Sequence, residues 1–516
     1  MRLASALLLS VVACARERVA SSAEELLPDA AQGAVVTAPL AAVAQDWSAL
    51  LGRVATTIPG GERAGEWRRG LAAQLGFDPL SRDGQLAAGL DPDRAAALVL
   101  LPGATRRGWI AALPLAKREV FSQTVDRLLR ERAAFAARQD EQRGKTRMAV
   151  YTRPGEAERI AVAVVRGYGL VARGADPAAD IAAAADRRSE QSLAHDPKLA
   201  AARKRLGGQH VVVIAPPGSA LGKLPDYSML AGAEVGLTGT KEGVAAKLFF
   251  ALSPEDARRM QAEAPGGGGA LIRFLPRDAP LLVRAGLQPA DVLREARRLP
   301  QLALPLDRLG GSVLNEIAAS LLPGGALSVA LGPHANLAAL VDFGVVDWRR
   351  RSPFDSIQVV ALAPVGDRAR LERALEAVAK ELPRLGGQAS RTTSGWQVRY
   401  PGGEGPRFGI RELGGKPVAY VTGGIDPAQL GGEAQRSAPL EQDAGGALLL
   451  DLAKLAETVR RLPETAYGSG PQAYVARSIV SQLIEPLSVL RMTASVLPGA
   501  DGVAAEIGIA FAPGTP

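Results

Sequence analysis

The sequence predicts an α+β protein built from two homologous halves, each with antiparallel sheet packed by amphipathic helices. Three observations support this prediction. Short apolar strands follow one another in hairpin-like runs, the helices between them are amphipathic, and the segments of one half recur about 250 residues later. Strands that come in runs, rather than in strict alternation with helices, favour antiparallel sheets over a parallel α/β fold.

The repeat consists of four pairs of similar segments in the same order. The clearest pair is GVAAKLFFALSP and GVAAEIGIAFAP, which agree at six of their positions. The pairs match residues 27–29 with 275–278, 109–129 with 359–379, 168–177 with 418–427, and 243–254 with 502–513. Chance readily produces one such pair in a chain rich in alanine and glycine, but four collinear pairs indicate a duplication.

The repeat sets the domain boundaries. We expect a signal peptide at 1–13, a tether at 14–25, a first half at 26–262 and a second half at 270–516. Residues 263–269 contain four consecutive glycines, which by composition predict a flexible linker.

The elements of the first half follow from periodicity and from turn residues. A period near 3.6 predicts helices at 46–58, 62–76, 117–139 and 197–206. Short apolar runs predict strands at 34–40, 95–102, 109–115, 147–153, 158–166, 168–174 and 210–216. Residues 229–252 read as a hairpin that turns at 239–243.

The first residues resemble the signal of a bacterial lipoprotein. Arg2 precedes an uncharged stretch, 3–13, that is too short to span a bilayer, which takes about 20 helical residues. The stretch ends Val11-Val12-Ala13-Cys14, which is similar to a lipobox, and Cys14 is the only cysteine of the 516-residue chain. No intramolecular disulfide is therefore possible.

The lipobox resemblance implies that the Cys14 thiol carries a diacylglyceryl group and becomes the acylated amino terminus after cleavage. Ala15, where an aspartate would favour retention at the inner membrane, implies an outer-membrane lipoprotein facing the periplasm. Two alternatives stay open: an ordinary signal peptide cut near residues 20–22, giving a secreted periplasmic protein, and a buried free cysteine.

The net charge of +8 does not indicate nucleic-acid binding. The 61 basic residues are scattered among 53 acidic ones, and aromatic residues make up only 4%, too few for a base-stacking platform. The basic runs at 203–205 and 349–351 are expected to be solvated faces rather than phosphate clamps.

No motif for a nucleotide or a metal fits its required spacing. In residues 210–224, Gly218 and Gly222 stand one residue too close for a P-loop, and Leu224 replaces the hydroxyl that binds Mg²⁺. The three histidines, His195, His210 and His334, do not have zinc-ligand spacing. We therefore expect no cofactor and no metal.

Two acidic loops are candidates for calcium binding, and two serines are candidates for acyl hydrolysis. The Asp-Pro loops at 76–79 and 89–93 lack the spacing of a calcium loop and are interpreted as turns. Ser312 and Ser469 lie in glycine-rich segments, and a serine hydrolase would need a histidine beside one of them. His334 is the nearest in sequence to Ser312.

The order of strand, helix, Gly-Phe/Leu-Asp-Pro turn, strand and strand-Pro-helix unit resembles a bacterial envelope family that is described as a domain of unknown function. That family has no assigned catalytic residues, so the resemblance implies none here. The expected function is that of a non-enzymatic binding or scaffold module of the cell envelope, anchored to the membrane, whose partner is an envelope protein. The alternatives are a periplasmic carrier or sensor of an apolar ligand, and a serine hydrolase.

Overall fold

The computed structural model describes residues 19–513 except 31, 102–107, 136, 218–229, 299–305, 308, 333–334, 338–351, 433, 435–437 and 443–444. It divides into two units. Unit 1 extends to residue 251 without residues 57–60, and unit 2 consists of residues 57–60 and of the chain from residue 252 onward.

Unit 1 contains ten strands and six α-helices among its described residues. The strands are β1 Ala34–Pro39, β2 Ala95–Leu101, β3 Gly108–Pro114, β4 Ala137–Arg143, β5 Thr146–Thr152, β6 Arg159–Val165, β7 Tyr168–Gly174, β8 Val211–Ala215, β9 Leu230–Thr240 and β10 Gly243–Leu252. The helices are α1 Leu40–Thr57, α2 Glu62–Leu75, α3 Arg82–Ala87, α4 Arg118–Arg127, α5 Pro177–Ala185 and α6 Pro197–Leu206. Short 3₁₀ turns occur at Ala23–Leu26, Ser189–Gln191 and Leu193–His195, and a π turn at Leu128–Arg132 extends α4.

Unit 2 also contains ten strands among its described residues, with seven α-helices. The strands are β11 Leu281–Ala285, β12 Gly325–Leu331, β13 Ile357–Pro364, β14 Gln388–Thr392, β15 Gly395–Tyr400, β16 Gly403–Leu413, β17 Lys416–Gly423, β18 Gly446–Asp451, β19 Leu490–Pro498 and β20 Gly502–Phe511. The helices are α7 Pro254–Glu263, α8 Pro289–Arg298, α9 Gly311–Ser320, α10 Arg368–Glu381, α11 Ala438–Glu441, α12 Leu452–Arg461 and α13 Pro471–Ile484. Its 3₁₀ turns are Ala270–Phe274, Pro353–Asp355, Leu382–Leu385, Pro427–Gln429, Glu464–Tyr467 and Glu485–Leu487.

The two units share one strand order. In unit 1 the strands lie side by side as β4-β5-β6-β7-β3-β2-β1-β8-β9-β10. In unit 2 the order is β14-β15-β16-β17-β13-β12-β11-β18-β19-β20, which is the same order with every number raised by ten. All strand pairs with a defined register are antiparallel. The predicted α+β class, with antiparallel sheet and packed helices, is therefore confirmed.

The registers of the two units also correspond. Pro114 faces Tyr168 in the β3–β7 pair, and Pro364 faces Val418 in the β13–β17 pair. Each residue of the second pair lies 250 positions after its counterpart, which is the offset at which these segments repeat in the sequence. The strand-to-strand turns correspond as well, because both have two residues with positive φ: Arg166–Gly167 between β6 and β7, and Gly414–Gly415 between β16 and β17.

Each sheet is covered on its first face by a fully buried core. In unit 1 this core contains the 3₁₀ turn Ala23–Leu26, helices α5 and α6, and the inward residues of seven strands, with Leu27, Leu170 and Ile181 entirely buried. In unit 2 the 3₁₀ turn Ala270–Phe274 takes the corresponding place, packed with inward residues of six strands.

Part of the second face is covered by α4 in unit 1 and by α10 in unit 2. Phe121 of α4 packs onto Gly169 of β7 so closely that a Cβ on Gly169 would lie 2.3 Å from the ring. The residues 250 positions later are Leu371 of α10 and Ala419 of β17, which lie in one apolar cluster. A large side chain over glycine in unit 1 is thus replaced by a smaller one over alanine in unit 2.

The rest of the second face carries half-buried apolar side chains in both units, and we call this area the open face. Its members occupy corresponding register positions in the two units. They are Val35, Leu98, Leu100, Trp109 and Val213 in unit 1, and Val283, Leu327, Val329, Val359 and Leu448 in unit 2.

Two expected boundaries differ in the structure. The glycine-rich segment 263–269 was expected to link the halves, but the units divide between residues 251 and 252, so α7 and the glycines both belong to unit 2. A Cβ on Gly267 would lie 2.5 Å from the Pro323 carbonyl oxygen, so the glycines permit close backbone packing rather than free movement. The segment 14–25 was expected to be a tether, but its residues Ala20 and Ala23 are buried in the core of unit 1.

The helix expected over 117–139 ends much earlier. It continues only through the π turn at Leu128–Arg132, and the residues from Ala137 form strand β4. The duplication remains a prediction. The signal peptide also remains a prediction, because residues 1–18 lie outside the described residues. Among the described residues, no helix combines the length and apolarity that crossing a bilayer requires.

Candidate functional sites

The one site residue that the sequence predicts with a defined chemistry, Cys14, lies outside the described residues. The nearest described structure begins at Val19 and Ala20. The Ala20 amide donates to the Arg166 carbonyl oxygen at 3.0 Å, and the Arg94 guanidinium donates to the Ala20 carbonyl oxygen at 2.6 Å. The fold therefore holds the chain firmly only six residues after Cys14.

The described histidines and serines do not form a catalytic pair. Ser312 and Ser469 are exposed, at the start of α9 and just before α13. His195 is exposed on the surface of unit 1, and within the described residues no histidine is hydrogen-bonded to either serine. His334 lies outside the described residues.

His210 is held by two partners inside unit 1. Its Nε2 lies 3.0 Å from Asp46 Oδ2, and its Nδ1 accepts a hydrogen bond from the Gly239 amide at 3.3 Å. The proton is therefore assigned to Nε2, and neither nitrogen is left to take a proton from a substrate or a serine. The Trp47 ring packs against Gly239 beside this pair, which ties α1 to β9.

The two acidic loops are turns, as predicted. Asp78 accepts from the Leu80 amide at 3.0 Å and from Arg68 at 2.7 Å, while Asp91 accepts from the Asp93 amide at 3.1 Å. Burial favours the neutral form of Asp78, but the hydrogen bonds from Arg68 and Leu80 outweigh it and lower the pKa of that carboxyl. Among the described residues, no group of His, Cys, Asp and Glu is arranged to hold a metal ion.

The basic run at 203–205 was expected to be a solvated face, and all three residues are exposed, while two of them also pair with acidic side chains. Arg203 pairs with the buried carboxylate of Glu24, and Arg205 pairs with that of Glu234. Arg205 also stacks over the Phe249 ring at 4.4 Å. These arginines fasten unit 1 together. The run at 349–351 and the glycines Gly218 and Gly222 lie outside the described residues.

An open cleft of about 620 Å³ lies beside β4, β5 and β6 in unit 1. Tyr151, Arg138 and Asp140 line the cleft, and they are linked by hydrogen bonds that also include Asp126. The Tyr151 hydroxyl donates to Asp126 at 2.9 Å, and Arg138 donates to Asp126 at 3.2 Å and to Asp140 at 3.1 Å. Burial and the nearby Asp126 carboxylate raise the pKa of Tyr151 to about 12, so its hydroxyl remains a donor rather than a base.

A smaller cavity of about 290 Å³ lies in unit 2. Three of its charged lining residues are paired with one another, since Arg407 lies 3.1 Å from Asp426 and 3.4 Å from Glu404, and Asp355 also lines it. The hydrogen bond from the Ala428 amide and the nearby Arg407 guanidinium lower the pKa of Asp426, whose side chain is exposed. Both cavities are therefore lined in part by compensated ion pairs, which does not match the dry apolar wall expected for a lipid-like ligand.

Helix α13 of unit 2 carries an exposed apolar stripe. The stripe consists of Tyr474, Val475, Ile479 and Leu483, which are 71%, 55%, 52% and 67% exposed. Positions 475, 479 and 483 are four residues apart and so lie along one side of the helix. A different side, with Ala473, Ala476, Val480 and Ile484, packs against α12 and its flanking turns.

Sequence reasoning missed this stripe. The segment 471–484 has a single charged residue, Arg477, and apolar residues around more than half of its circumference. That pattern indicates a helix buried on two sides, whereas the described structure covers only one of them. The lack of acidic residues in this segment is the sequence feature from which the stripe could have been predicted.

No family model matches the chain, and no curated protein matches it. Among solved structures, three crystal forms of TP0453 are similar to it. Forms IV, III and I are 11%, 9% and 10% identical, with TM-scores of 0.26, 0.28 and 0.27. They cover 45–48% of this chain, and 81–88% of TP0453 is covered. Likeness of this size leaves the fold and the function to be argued from this chain's own residues.

Proposed function

We propose that this protein is an exported lipoprotein, anchored through Cys14 to the periplasmic side of a bacterial outer membrane, which acts as a non-enzymatic binding module of the cell envelope. The lipobox Val11–Cys14 supports the anchor. The exposed stripe on α13 supports the binding role, and it is the observation that carries the proposal, because four large apolar side chains in one stripe are unusual on a surface that only meets water.

The two units are proposed to descend from one duplicated ancestor. The shared strand order and the 250-residue offset of paired registers support this origin. The segment that carries the stripe has no counterpart of equal length in unit 1, because 14 residues separate β8 from β9 (216–229), whereas 38 residues (452–489), which include α12 and α13, separate β18 from β19. We therefore assign the binding role to unit 2.

The experiment places a photoreactive benzoylphenylalanine at Ile479 and irradiates cells that produce the full-length protein. We expect one crosslinked adduct of defined mass. The matched variants each lower the net charge by two at exposed positions: Val475→Glu with Leu483→Glu on the stripe, and Ser469→Glu with Arg477→Gln away from it. The stripe variant should reduce the amount of adduct at least tenfold, while the control variant should retain more than half of the adduct.

Both double variants change exposed side chains, so each should alter the free energy of unfolding by less than about 1 kcal/mol. A loss of adduct in the stripe variant therefore reports binding rather than unfolding. An adduct that persists equally in both variants, or none above the level seen with the photoreactive residue at exposed Arg477, would contradict the proposed docking role of α13.

A second candidate is a carrier or sensor of an apolar ligand, which the open faces favour. Half-buried Leu98 and Trp109 of unit 1 and their counterparts in unit 2 offer aliphatic and aromatic surface to a ligand. The test is titration of a fluorescent fatty-acid analogue into the Cys14→Ser protein. A carrier should bind it saturably, with Leu98→Glu weakening binding at least tenfold, whereas the docking role predicts no saturable binding.

A further inference from the structure

The way the chain enters unit 1 fixes which surface an anchored protein can turn toward the membrane. Ala20 is pinned by hydrogen bonds to Arg166 and Arg94, and it lies six residues after Cys14. A fully extended chain spans at most about 3.6 Å per residue, so Ala20 lies within about 22 Å of the lipidated sulfur. That reach is shorter than the diameter of a domain of this size.

Ala20 lies at one particular end of the sheet, which we call the anchor end. It includes the β6–β7 turn Arg166–Gly167 and the β3–α4 connection, which is joined to that turn because the Leu115 amide donates to the Gly167 carbonyl oxygen at 3.1 Å. The β4–β5 turn Gly144–Lys145 is at the same end, since Thr146 of β5 begins where β6 finishes in the antiparallel register. The β5–β6 turn is at the opposite end.

Charges of both signs are exposed at the anchor end, and three of the basic side chains lie in its turn and at the start of α4. Lys117, Arg118 and Lys145 are exposed there. Of the acidic groups nearby, Asp93 is bound by both terminal nitrogens of Arg82 at 2.6 Å, Asp83 and Asp91 lie near the same arginine, and Glu119 follows Arg118 on α4. Basic side chains held close to a bilayer are attracted by anionic headgroups over roughly one Debye length, about 8–10 Å.

We propose that the anchor end of unit 1 is a membrane-contact surface, which lies against anionic lipid headgroups of the leaflet that holds the Cys14 lipid. This inference rests on the proposed lipidation. Short reach brings the surface to the bilayer, and Lys117, Arg118 and Lys145 give it the complementary charge. The β5–β6 turn then points away from the leaflet, about 20 Å further, since the seven residues of β6 advance about 3.3 Å each.

The single cysteine of the chain makes a direct test possible. Once the Cys14 sulfur is a thioether, an introduced cysteine is the one free thiol. Ala116→Cys puts it on the anchor end and Ala157→Cys puts it on the β5–β6 turn, and both positions are exposed alanines. Each full-length lipidated protein is spin-labelled and reconstituted into vesicles of phosphatidylglycerol and phosphatidylethanolamine containing a nickel-chelating lipid.

The measured quantity is the enhancement of spin-label relaxation by headgroup nickel. We expect it to be at least fivefold larger at position 116 than at position 157. Inserting twenty Gly-Ser residues after Arg18, or combining Lys117→Glu with Lys145→Glu, should reduce the ratio at least twofold. Equal enhancement at both positions, or a larger one at position 157, would overturn the proposal.

Metabolic labelling with an alkyne palmitate analogue separates this failure from failure of the anchor. Lipid label on Cys14 with equal relaxation at both positions overturns the contact surface and leaves the lipoprotein proposal standing. Absence of lipid label on the wild-type protein overturns both.

Discussion

The contact between Phe121 and Gly169 yields a quantitative test of the correspondence between the two units. A Cβ on Gly169 would lie 2.3 and 2.4 Å from two ring carbons of Phe121, which is itself almost fully buried. Gly169→Ala therefore overpacks a rigid ring and should lower the free energy of unfolding by about 3 kcal/mol. Phe121→Leu removes part of a buried ring and should cost about 1 kcal/mol.

The double variant Phe121→Leu with Gly169→Ala reproduces the arrangement of unit 2, where Leu371 packs with Ala419. The new methyl group then fills space that the ring vacated, so we expect a total loss of about 1 kcal/mol rather than the additive 4. The coupling free energy is thus about 3 kcal/mol, at the upper end of values for residues in contact.

The assay is equilibrium urea unfolding of the four proteins in a Cys14→Ser background, followed by circular dichroism and tryptophan fluorescence. Trp47, Trp67 and Trp109 report on unit 1. Additivity within about 0.5 kcal/mol would refute the correspondence of the two packing sites. So would a double variant that is less stable than Gly169→Ala alone.

Three further predictions concern single sites. Burial and the Asp176 carboxylate raise the pKa of Asp180, so the ionised carboxylate destabilises unit 1 above that pKa. Asp180→Asn should therefore increase the free energy of unfolding at pH 7, and this increase should disappear below pH 4. A difference between variant and wild type that stays constant with pH in urea titrations would contradict this. Buried Asp451 caps α12 and pairs with Arg491 at 2.7 Å, so Asp451→Ala should lower the free energy of unfolding by about 3 kcal/mol. Asp451→Asn keeps the cap and should cost about 1 kcal/mol less than Asp451→Ala, or less still. Equal losses for the two variants in thermal unfolding would exclude the cap contribution. Gly445→Ala should cost about 2 kcal/mol or more, because φ is +64° and the Cβ would lie 1.9 Å from the Val496 carbonyl oxygen; unchanged urea unfolding would show that this turn can rearrange.

The strands were predictable because their side chains alternate between two environments. In β6, residues Ala161 and Ala163 face the first core while Ile160 and Val162 face the second, so both sets are apolar and the run stands out. Strand β4 gave no such signal. It is an edge strand of mostly exposed polar residues, and without a buried face it reads as the continuation of the helix before it.

The glycine run at 266–269 is predicted to be a linker because glycine allows many backbone conformations. Composition does not show whether that freedom is used for movement or for close packing. Gly268 has a positive φ, and a Cβ on it would lie 2.7 Å from the backbone nitrogen of Gly325, so it is required by close contact within unit 2. The same limit applies to α13. Periodicity reveals that a helix has apolar sides but not which of them a neighbour covers, and only the structure separates Val480 in the core from Ile479 on the surface.

The most direct test of the account is the state of Cys14 in the cell. Cells producing the wild-type protein or the Cys14→Ser variant are grown with an alkyne palmitate analogue, and their membranes are fractionated. The account predicts lipid label on the wild-type protein in the outer-membrane fraction and none on the variant, which should be released as a soluble form. An unlabelled, soluble wild-type protein would contradict the anchored role and would favour a freely diffusing carrier.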